Sequence, residues 1–562
     1  MIDYRHGRRP LHDYLRHHAR VTPDKAAVVW YGRHISYAEL DDLSDRFAES
    51  LRERGIGQGD VVALFLENCP HYLIAHFGVQ KLGAIVSPCN PHAQAYELEH
   101  QLMDLDAQAI VAGEELLKVV LASRANGANG PNGTIDHIYA VRYGDMLPGV
   151  LAIDVPASIR LPQETAPHLP QGVIDFAEAL AQAGDFAPID TIAMEDVGLM
   201  AYTSGSTGLP KGVMISYDCA LYKTAASADS FRLYGDDVIL TDVALFHISG
   251  MMTGLALPIY CGATVVLLQR FDATAVLQAI ESCKVSWWYT MAPSLSSTLN
   301  ADDASTYDLS SLRTTVGTSF GVRLTEELAG EWSRFANQCV VYEAGYGLSE
   351  THTCDTLMPV DAIKWGTHGK PVPGVELRIV DPTTGMDLPV GSHGEILLRS
   401  PVAYKGYWLR PEATQALFAD GWVRTGDVGV LDEEGYLTFL GRTKEMIKVW
   451  IYSVFPEEVE AILATHPDVR QAAVVGLPDP DRGESLQAYV VLKTEAAARL
   501  RIDRSGHARD RSDQKIIEWC LQHMSHYKVP RTVIFRSGLP ASESGKLLRR
   551  MLHDPVAPMA AS

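Results

Sequence analysis

The chain has 562 residues, or about three to four domain lengths, and its 69 acidic against 48 basic residues give a net charge of −21. Such an acidic chain is a poor partner for nucleic acid or an anionic membrane surface, so an anionic ligand would need a local binding site. The eight cysteines contain no C-x-x-C pair, and no apolar run follows the basic N-terminus. We therefore expect reduced thiols, no signal peptide and a cytoplasmic location.

The first part of the chain alternates between helical and strand-like patterns. Ser36 and Glu39 have the spacing of a capping box and open an amphipathic helix that runs to about residue 54. Residues 250–268, the most apolar longer segment, are interrupted by Thr253, Pro258 and Gly262, which indicates buried helix, turn and strand rather than a membrane span. Apolar runs predict strands at 26–30, 61–66, 85–87, 238–245, 263–268, 286–289 and 339–343. This alternation indicates α/β layers with mostly parallel strands.

The pattern changes twice in the second half of the chain. From Lys370 onward, short predicted strands separated by Gly/Pro turns indicate a β-rich subdomain, at 375–380, 395–398 and 436–440. After Arg442 the helix–strand alternation returns, at 456–465, 469–476, 487–492, 515–524 and 532–535. We therefore predict an N-terminal domain of residues 1–442 and a smaller C-terminal domain of residues 443–562.

Residues 200–211, M-A-Y-T-S-G-S-T-G-L-P-K, join an apolar run to a loop of hydroxyls and glycines. Hydroxyl and backbone N–H groups can donate to phosphate oxygens, glycines let the backbone approach a ligand, and a lysine adds positive charge. The residues concerned are Thr203, Ser204, Gly205, Ser206, Thr207, Gly208 and Lys211. The loop is not a Walker A motif, because Pro210 and Gly212 occupy positions where that motif needs other residues. By composition alone, a flexible polar surface loop is an equal alternative.

The ordered string Y-T-S-G-S-T-G-L-P-K-G resembles the phosphate loop of the adenylate-forming superfamily, which includes acyl-CoA synthetases, luciferases and the adenylation domains of peptide synthetases. Five further segments resemble motifs of this superfamily and follow in its order. They are L-F-H at 245–247, G-Y-G-L-S-E-T at 345–351, G-W-V-R-T-G-D at 421–427, G-R-T-K at 441–444 and S-G-K-L-L-R-R at 544–550. Each segment alone has an ordinary structural explanation. A chance occurrence of all six segments in this order has a very small prior.

The resemblance implies a fold and a set of site residues. The implied fold is the adenylate-forming α/β fold, with a large layered α/β N-terminal domain that includes the β-rich subdomain, and a small mobile α+β C-terminal domain. The implied catalytic residues are Thr203, His247, Glu350 and Lys546, with Mg²⁺ held at Glu350 and Thr207 and a hinge at Lys444. Beyond the phosphate loop, the implied nucleotide-binding residues are Gly317, Thr318, Gly345, Tyr346, Gly347, Ser349, Asp427 and Arg442. Tyr346 would pack on adenine, and Asp427 would accept hydrogen bonds from both ribose hydroxyls.

Two segments depart from the superfamily pattern. Residues 316–321 replace a G-G-A-P-like turn beside the adenine, which is expected to weaken the use of ATP. Residues 448–452 read K-V-W-I-Y, so that Lys448, Trp450 and Ile451 form the loop that approaches pantetheine, with Ile451 where the superfamily has glycine. We predict that Trp450 and Ile451 pack at the cleft in the thioester-forming orientation and favour it, because burying large apolar side chains is favourable. The competing interpretation is that Ile451 blocks pantetheine and slows the second step.

The resemblance implies an AMP-forming acyl-CoA ligase, an acid–thiol ligase that uses ATP, Mg²⁺ and coenzyme A. Residues 245–251 contain no acid where amino-acid adenylation domains place an aspartate, and a cluster of apolar residues suits a fatty acid or an apolar natural-product carboxylate. These residues, Ile248, Met251, Met252 and Leu255, are explained equally well as core. The expected partners are a small carboxylic acid, ATP or AMP, and CoA, and a homodimer is left open. One alternative is an enzyme that carries out mainly one half-reaction, favoured as thioester formation from a preformed acyl-adenylate. The other is a non-catalytic, nucleotide-dependent binding protein.

Overall fold

The computed structural model describes thirteen stretches of the chain, and all structural statements refer to them. They are residues 2–125, 135–159, 168–189, 191–203, 210–319, 324–382, 384–402, 404–442, 447–450, 452–454, 456–497, 512–540 and 549–552. Within these residues the strands form two seven-stranded sheets and three smaller ones.

The first seven-stranded sheet is built by the N-terminal part of the chain. The elements are α1 (Leu11–Val21), β1 (Ala26–Trp30), β2 (Arg33–Ser36), α2 (Tyr37–Arg52), β3 (Val61–Phe65), α3 (Pro70–Lys81), β4 (Ile85–Pro88), α4 (Ala95–Leu105), β5 (Ala109–Gly113), α5 (Leu117–Ala125), β6 (His137–Val141), β7 (Val173–Asp175), α6 (Phe176–Gln182), β8 (Val197–Thr203), β9 (Lys211–Ser216) and α7 (Tyr217–Phe231). The strand order is β7-β6-β5-β3-β4-β8-β9. Its pairs are parallel except for the antiparallel hairpin of β8 and β9.

The second seven-stranded sheet combines β1 and β2 with five later strands. The additional elements are β10 (Val238–Thr241), α8 (Ile248–Met251), α9 (Leu257–Cys261), β11 (Thr264–Leu267), α10 (Ala273–Cys283), β12 (Trp287–Met291), α11 (Ala292–Leu299), β13 (Thr314–Thr318), α12 (Glu326–Phe335) and β14 (Val340–Glu343). The order is β14-β13-β12-β10-β11-β1-β2, and only the β1–β2 pair is antiparallel. The predicted layers of mostly parallel strands are thus present.

Helix α3 shows why the large core is stable. Each of its residues is buried, as expected for a helix that is apolar on all sides. Its one ammonium group, Lys81 Nζ, lies 2.5 Å from Asp41 Oδ1 and 2.8 Å from Asp45 Oδ1. The two carboxylates of α2 compensate the buried charge and fix how α2 and α3 pack.

The β-rich subdomain follows as predicted. It contains β15 (Gly345–Tyr346), β16 (Thr356–Leu357), β17 (Lys370–Pro371), β18 (Glu376–Val380), β19 (Gly394–Arg399), α13 (Pro411–Leu417), β20 (Phe418–Ala419), β21 (Trp422–Leu431) and β22 (Leu437–Arg442). The sheet order is β18-β19-β21-β20, and β22 pairs with β21. This last pair is important for the site, because it sets Asp427 directly opposite Arg442.

The C-terminal part forms its own sheet and its own apolar core. Its elements are β23 (Ile447–Val449), β24 (Tyr452–Val454), α14 (Pro456–Ala464), β25 (Val469–Asp479), β26 (Gly483–Leu492), α15 (Thr494–Ala497), α16 (Ser512–His523) and β27 (Thr532–Phe535). The order is β24-β23-β26-β25, with β27 beside β26. The domain boundary after residue 442 stays a prediction, since residues 443–446 lie outside the described residues.

Local signals in the sequence gave correct elements where the physical cause is local. Ser36 Oγ accepts a hydrogen bond from the Glu39 backbone N–H at 3.1 Å, so the predicted cap of α2 is present. The predicted strand at 238–245 is wrong in its second half, because β10 ends at Thr241. The chain then turns over the end of the sheet and brings His247 to the start of α8.

Candidate active site

A cavity of about 1420 Å³ opens at the carboxyl ends of the parallel strands. It is lined by the ends of β8, β12, β13 and β14, by the β-rich subdomain and by the C-terminal part of the chain. Ligands of open α/β sheets bind at this edge. The volume exceeds the usual range of single-ligand pockets, about 300–1,000 Å³, and can hold more than one substrate.

The phosphate end of the cavity is framed by the β8–β9 hairpin. Thr203 ends β8 and is paired with Lys211, which begins β9, and both line the cavity. The lysine ammonium lies 5.2 Å from the centre of the Tyr407 ring. The Tyr407 hydroxyl in turn donates to Glu350 Oε1 at 2.8 Å. The predicted residues Thr203, Lys211 and Glu350 therefore surround one space, with Tyr407 as a link that the sequence reasoning missed.

Glu350 suits the predicted magnesium site. It faces the cavity with a carboxylate held in place by a tyrosine hydroxyl, and Mg²⁺ prefers oxygen ligands of this kind. Burial, followed by the charge of Glu350, raises the pKa of Tyr407 far above its ordinary value, so the phenol stays protonated and keeps donating. The donor set therefore fits a hard cation.

Three side chains meet at the end of the cavity that is predicted to hold adenosine. The Tyr346 ring stacks on Phe439 with centroids 5.7 Å apart and planes 26° apart. The Tyr346 hydroxyl donates to Asp427 Oδ2 at 2.7 Å, and Asp427 is only 2 % exposed. Burial, with the adjacent Asp427, raises the pKa of Tyr346 well above 10. The structure thus brings together the predicted adenine and ribose residues, and Phe439 extends the aromatic surface beyond what the motif showed.

The glycines of the segment that carries Glu350 are required by close backbone contacts. A Cβ on Gly345 would lie 2.0 Å from the Thr356 carbonyl oxygen, and one on Gly347 would lie 2.5 Å from the Cys354 nitrogen. Ser349 and Glu350 follow in a short 3₁₀ turn and line the cavity. This tight path fixes where Glu350 enters the site.

A buried ion pair packs against the segment that carries Glu350. Lys223 Nζ lies 2.5 Å from Asp355 Oδ1, and both side chains are fully buried. Asp355 also accepts hydrogen bonds from the Thr351 hydroxyl and from the Leu348 backbone. Burial raises the pKa of Asp355, while the charge of Lys223 opposes that shift. The pair is a positioning element for Glu350, and no motif in the sequence indicated it.

A second carboxylate, Glu343 at the end of β14, lines the cavity beside the altered turn after β13. Thr318 lines the cavity as predicted, but Gly317 does not. Gly317 packs against Leu324, since a Cβ there would meet the leucine side chain at 2.7 Å. Glu343 also lines the cavity and accepts hydrogen bonds from the hydroxyl and the backbone N–H of Ser319, the latter at 3.0 Å. The carboxylate thereby holds the start of this turn.

The acyl end is only partly the one predicted. His247, Ile248 and Met252 line the cavity, but Met251 and Leu255 are buried core residues that do not. Burial, and then the proximity of His92, lowers the pKa of His247 to about 4. Its Nε2 has no hydrogen-bond partner among the described residues. The ring is therefore neutral at pH 7 and a weak proton acceptor.

The C-terminal part closes the remaining side of the cavity. Tyr452 stacks on Tyr527 with centroids 3.8 Å apart, and its ring centre is 5.8 Å from that of His247. Asn90 donates to the Tyr527 hydroxyl at 2.9 Å. Glu97 of α4 accepts from Lys528 Nζ at 2.9 Å. The Ser525 hydroxyl donates to the other Glu97 oxygen at 3.0 Å. We call the Glu97 contacts with Ser525 and Lys528, and the Asn90–Tyr527 contact, the latch.

Trp450 does not pack at the cleft in the arrangement that the structure shows. Trp450 does not line the cavity and is 41 % exposed, with its ring 4.1 Å from the Arg482 guanidinium carbon. It directly follows β23 and has a φ of +53°. This backbone conformation directs the indole outward, whereas Lys448 and Tyr452 on the adjoining strands line the cavity.

Several predicted residues lie outside the described residues. They are Ser204, Gly205, Ser206, Thr207, Gly208, Lys444, Ile451 and Lys546. Their roles stay predictions, as does the role of the Arg442 side chain.

The fold and the cavity are those of a nucleotide-dependent ligase. The family profile of the AMP-binding enzymes matches residues 15–408, and that of the AMP-binding enzyme C-terminal domain matches residues 458–546. The chain belongs to the AMP-binding enzyme family. The predictions of superfamily, fold class and enzyme class, an AMP-forming acid–thiol ligase, are confirmed. CoA ligases of this family use ATP, Mg²⁺ and CoA, as the resemblance implied.

Three comparisons illustrate the range of related proteins. A long-chain-fatty-acid–CoA ligase of Salmonella typhimurium is 30% identical over 97% of this chain and 94% of its own length. 4-Coumarate–CoA ligase 2 of Oryza sativa is 30% identical over 98% of this chain and 92% of its own. A solved structure of o-succinylbenzoate CoA synthetase from Bacillus subtilis has 26% identity and a TM-score of 0.75, with 97% and 98% of the two chains covered. Among the described residues, no helix is long and apolar enough to span a membrane.

Proposed function

We propose that the protein activates an apolar carboxylic acid as an acyl-adenylate and then transfers the acyl group to CoA. One observation carries this proposal. A single cavity joins the phosphate frame Thr203–Lys211, the carboxylate of Glu350, the Tyr346–Asp427 pair and the C-terminal residues Lys448 and Tyr452. Acid, ATP and CoA therefore have adjacent places.

In the first step a substrate carboxylate oxygen bonds to the α-phosphorus of ATP, and the bond to pyrophosphate breaks. Negative charge grows on phosphoryl oxygens, and Lys211 with the hydroxyls of its hairpin stabilises it electrostatically. Mg²⁺ held at Glu350 would add further neutralisation. We assign Lys546 to the same charge, by its match to the superfamily motif. Asp427 and Tyr346 hold the adenosine so that the α-phosphate meets the acid.

In the second step the CoA sulfur attacks the acyl carbonyl carbon, and AMP leaves. The β23–β24 hairpin presents Lys448 and Tyr452 to the cavity for this step. We do not assign the thiol proton to His247, since a pKa of about 4 makes it a poor acceptor at neutral pH. Its neutral ring shapes the wall between the acyl and CoA ends.

Two observations favour an apolar acid. The cavity wall includes Ile248, Met252 and Met291, which offer apolar and adaptable surface. The named relatives include ligases of a long-chain fatty acid and of 4-coumarate. Aliphatic and aromatic acids of this kind are the first substrates to test.

A second candidate function is an enzyme biased toward thioester formation. The exposed position of Trp450 does not support this function. The latch, however, favours the same thioester-forming orientation through other contacts. Five side chains on two parts of the chain hold the C-terminal residues against Asn90 and α4, and Tyr452 reaches the cavity in this arrangement. Such contacts favour the orientation in which the CoA-side loop is at the site.

The test separates the half-reactions. Pyrophosphate release is measured with ATP and a panel of fatty and aromatic acids, and CoA-ester formation is measured from each acid and from its supplied acyl-adenylate. The proposal expects both products with at least one apolar acid. Efficient CoA transfer from adenylate with poor pyrophosphate release identifies the biased enzyme. Nucleotide binding without either product would overturn the ligase and leave the non-catalytic binding protein.

A further inference from the structure

Three histidines near the N-terminus converge outside the cavity. His6 precedes α1, and His17 and His18 are neighbours within it. One ligand nitrogen from each ring lies within 4.8 Å of the other two. The ring centroids are 4.0 Å apart for His6 and His17 and 5.1 Å apart for His6 and His18. None of the three lines the active-site cavity.

The backbone holds His6 over the helix. Gly7 has a φ of +85° and its N–H donates to the Tyr4 carbonyl at 3.0 Å, which closes a tight turn around His6. Tyr14 fastens this turn, because its hydroxyl donates to the Gly7 carbonyl at 2.9 Å. Tyr14 precedes His17 and His18 by three and four residues, so it lies on their side of the helix. The convergence is thus built by the fold.

His18 is prepared as a ligand. Its ring is buried against Gly262, where a Cβ would come within 2.6 Å of it. Its Nε2 is buried with no hydrogen-bond partner among the described residues. A buried ring nitrogen without a partner is a polar group that a bound cation would satisfy.

We propose that His6, His17 and His18 form a binding site for a zinc-class divalent transition-metal cation. Three imidazoles and one water complete a tetrahedral set, and imidazole selects zinc, nickel or copper over magnesium. Small rotations of the side chains suffice, because nitrogens on a tetrahedral zinc are about 3.3 Å apart. The cation joins the N-terminal turn to α1.

The charges around the cluster set the expected affinity. Arg5 and Arg9 flank His6 in the chain, and their positive charge opposes a bound cation. We therefore expect Zn²⁺ to bind more weakly than in structural zinc sites with thiolate ligands.

The experiment uses the full chain without a polyhistidine tag. Calorimetry with Zn²⁺ is expected to give one site per chain, and Co²⁺ is expected to give the intense visible absorption of a tetrahedral complex. His6→Gln and His17→Gln should each weaken binding at least about tenfold, since each removes one of three ligands. His34→Gln, an exposed histidine of β2, is the matched control and should leave binding unchanged.

Melting curves distinguish lost ligands from lost fold. His6 and His17 are half-buried, so the metal-free variants should melt as the wild type does, while the Zn²⁺-induced rise in melting temperature disappears. His18 is left intact because it packs against Gly262. Equal Zn²⁺ affinity in wild type and His17→Gln, or an octahedral Co²⁺ spectrum, would overturn the site. Neither result affects the ligase proposal, whose readout is product formation.

Discussion

The two ends of the cavity are held together in different ways. At the adenosine end, Tyr346, Asp427 and Phe439 belong to one subdomain, and the buried Asp427 is fixed by the β21–β22 pairing. At the end predicted to hold CoA, the cavity is closed by the latch, three polar contacts that join Asn90 and Glu97 to residues 525–528. A site that must bind a nucleotide repeatedly needs a permanent frame. A site that must admit a second substrate needs contacts that can open at small cost.

The largest expected effect is at Lys546, which we assign to the first step only. Lys546→Ala should slow acyl-adenylate formation by about 10²–10³-fold, since it removes a charge aimed at the phosphoryl oxygens. Thioester formation from supplied acyl-adenylate should be largely unchanged. Pyrophosphate release and CoA-ester formation are measured separately, with the exposed Lys284→Ala as control. Wild-type adenylation in the variant would remove Lys546 from the mechanism.

The next effect tests the permanent frame. Asp427→Ala should weaken ATP binding by about 10–150-fold, because hydrogen bonds to a charged group contribute about 1.5–3 kcal/mol. Tyr346→Phe keeps the stacking ring and removes only the hydroxyl bonded to Asp427, so the loss should be less than about tenfold. Calorimetry with ATP measures both. Unchanged affinity in Asp427→Ala would place the ribose elsewhere.

The latch should affect the other half-reaction. Lys528→Met breaks a pair whose side chains are 13% and 12% exposed, and should slow thioester formation from acyl-adenylate about tenfold, or ~1.4 kcal/mol. Adenylation should not fall. Glu97→Gln with Lys528→Met should cost less than the sum of the single changes, since the two residues act as a pair. Lys364→Met, at a more exposed ion pair, is the control. Additive costs, or an equal loss of adenylation, would contradict the latch.

His247, the neutral histidine in the cavity wall, should make the free energy of unfolding depend on pH. The pKa of His247 is lowered to about 4 in the folded protein, whereas the unfolded chain takes up this proton near pH 6.5. The folded state therefore loses stability from this group as pH falls from 6.5 toward 4, by ~1.4 kcal/mol per pH unit. His247→Gln should remove this slope. Above pH 7, where the group is neutral in both states, it should contribute no pH dependence to stability. Denaturant unfolding of both proteins at pH 5 and pH 7 measures it, and equal slopes would refute the assignment.

The smallest effect concerns the side chain that proved to be exposed. Trp450→Ser should change the free energy of unfolding by less than about 0.5 kcal/mol and leave the ratio of the half-reactions within about twofold. The indole is exposed and contacts Arg482 rather than the cavity. A clear shift of that ratio toward adenylation would restore the original prediction for this loop.

The sequence determined what depends on neighbouring residues. The Ser36–Glu39 cap and most of the alternating apolar runs are local patterns, and they predicted their elements correctly. The motifs also identified Tyr346, Glu350 and Asp427, which the fold brings to one cavity. Strand β9 and the β23–β24 hairpin were missed, since each is short and depends on its partner strand.

The tertiary structure decided the contacts between residues far apart in the chain. Lys223 meets Asp355 across 132 residues, and Glu97 meets Lys528 across 431. No local pattern marks such pairs, because the sequence does not distinguish a buried lysine or glutamate from an exposed one. The outward direction of the Trp450 side chain likewise follows from the backbone conformation, which the residue type does not specify. Burial and distance, which set charge compensation and pKa, exist only once the layers have packed.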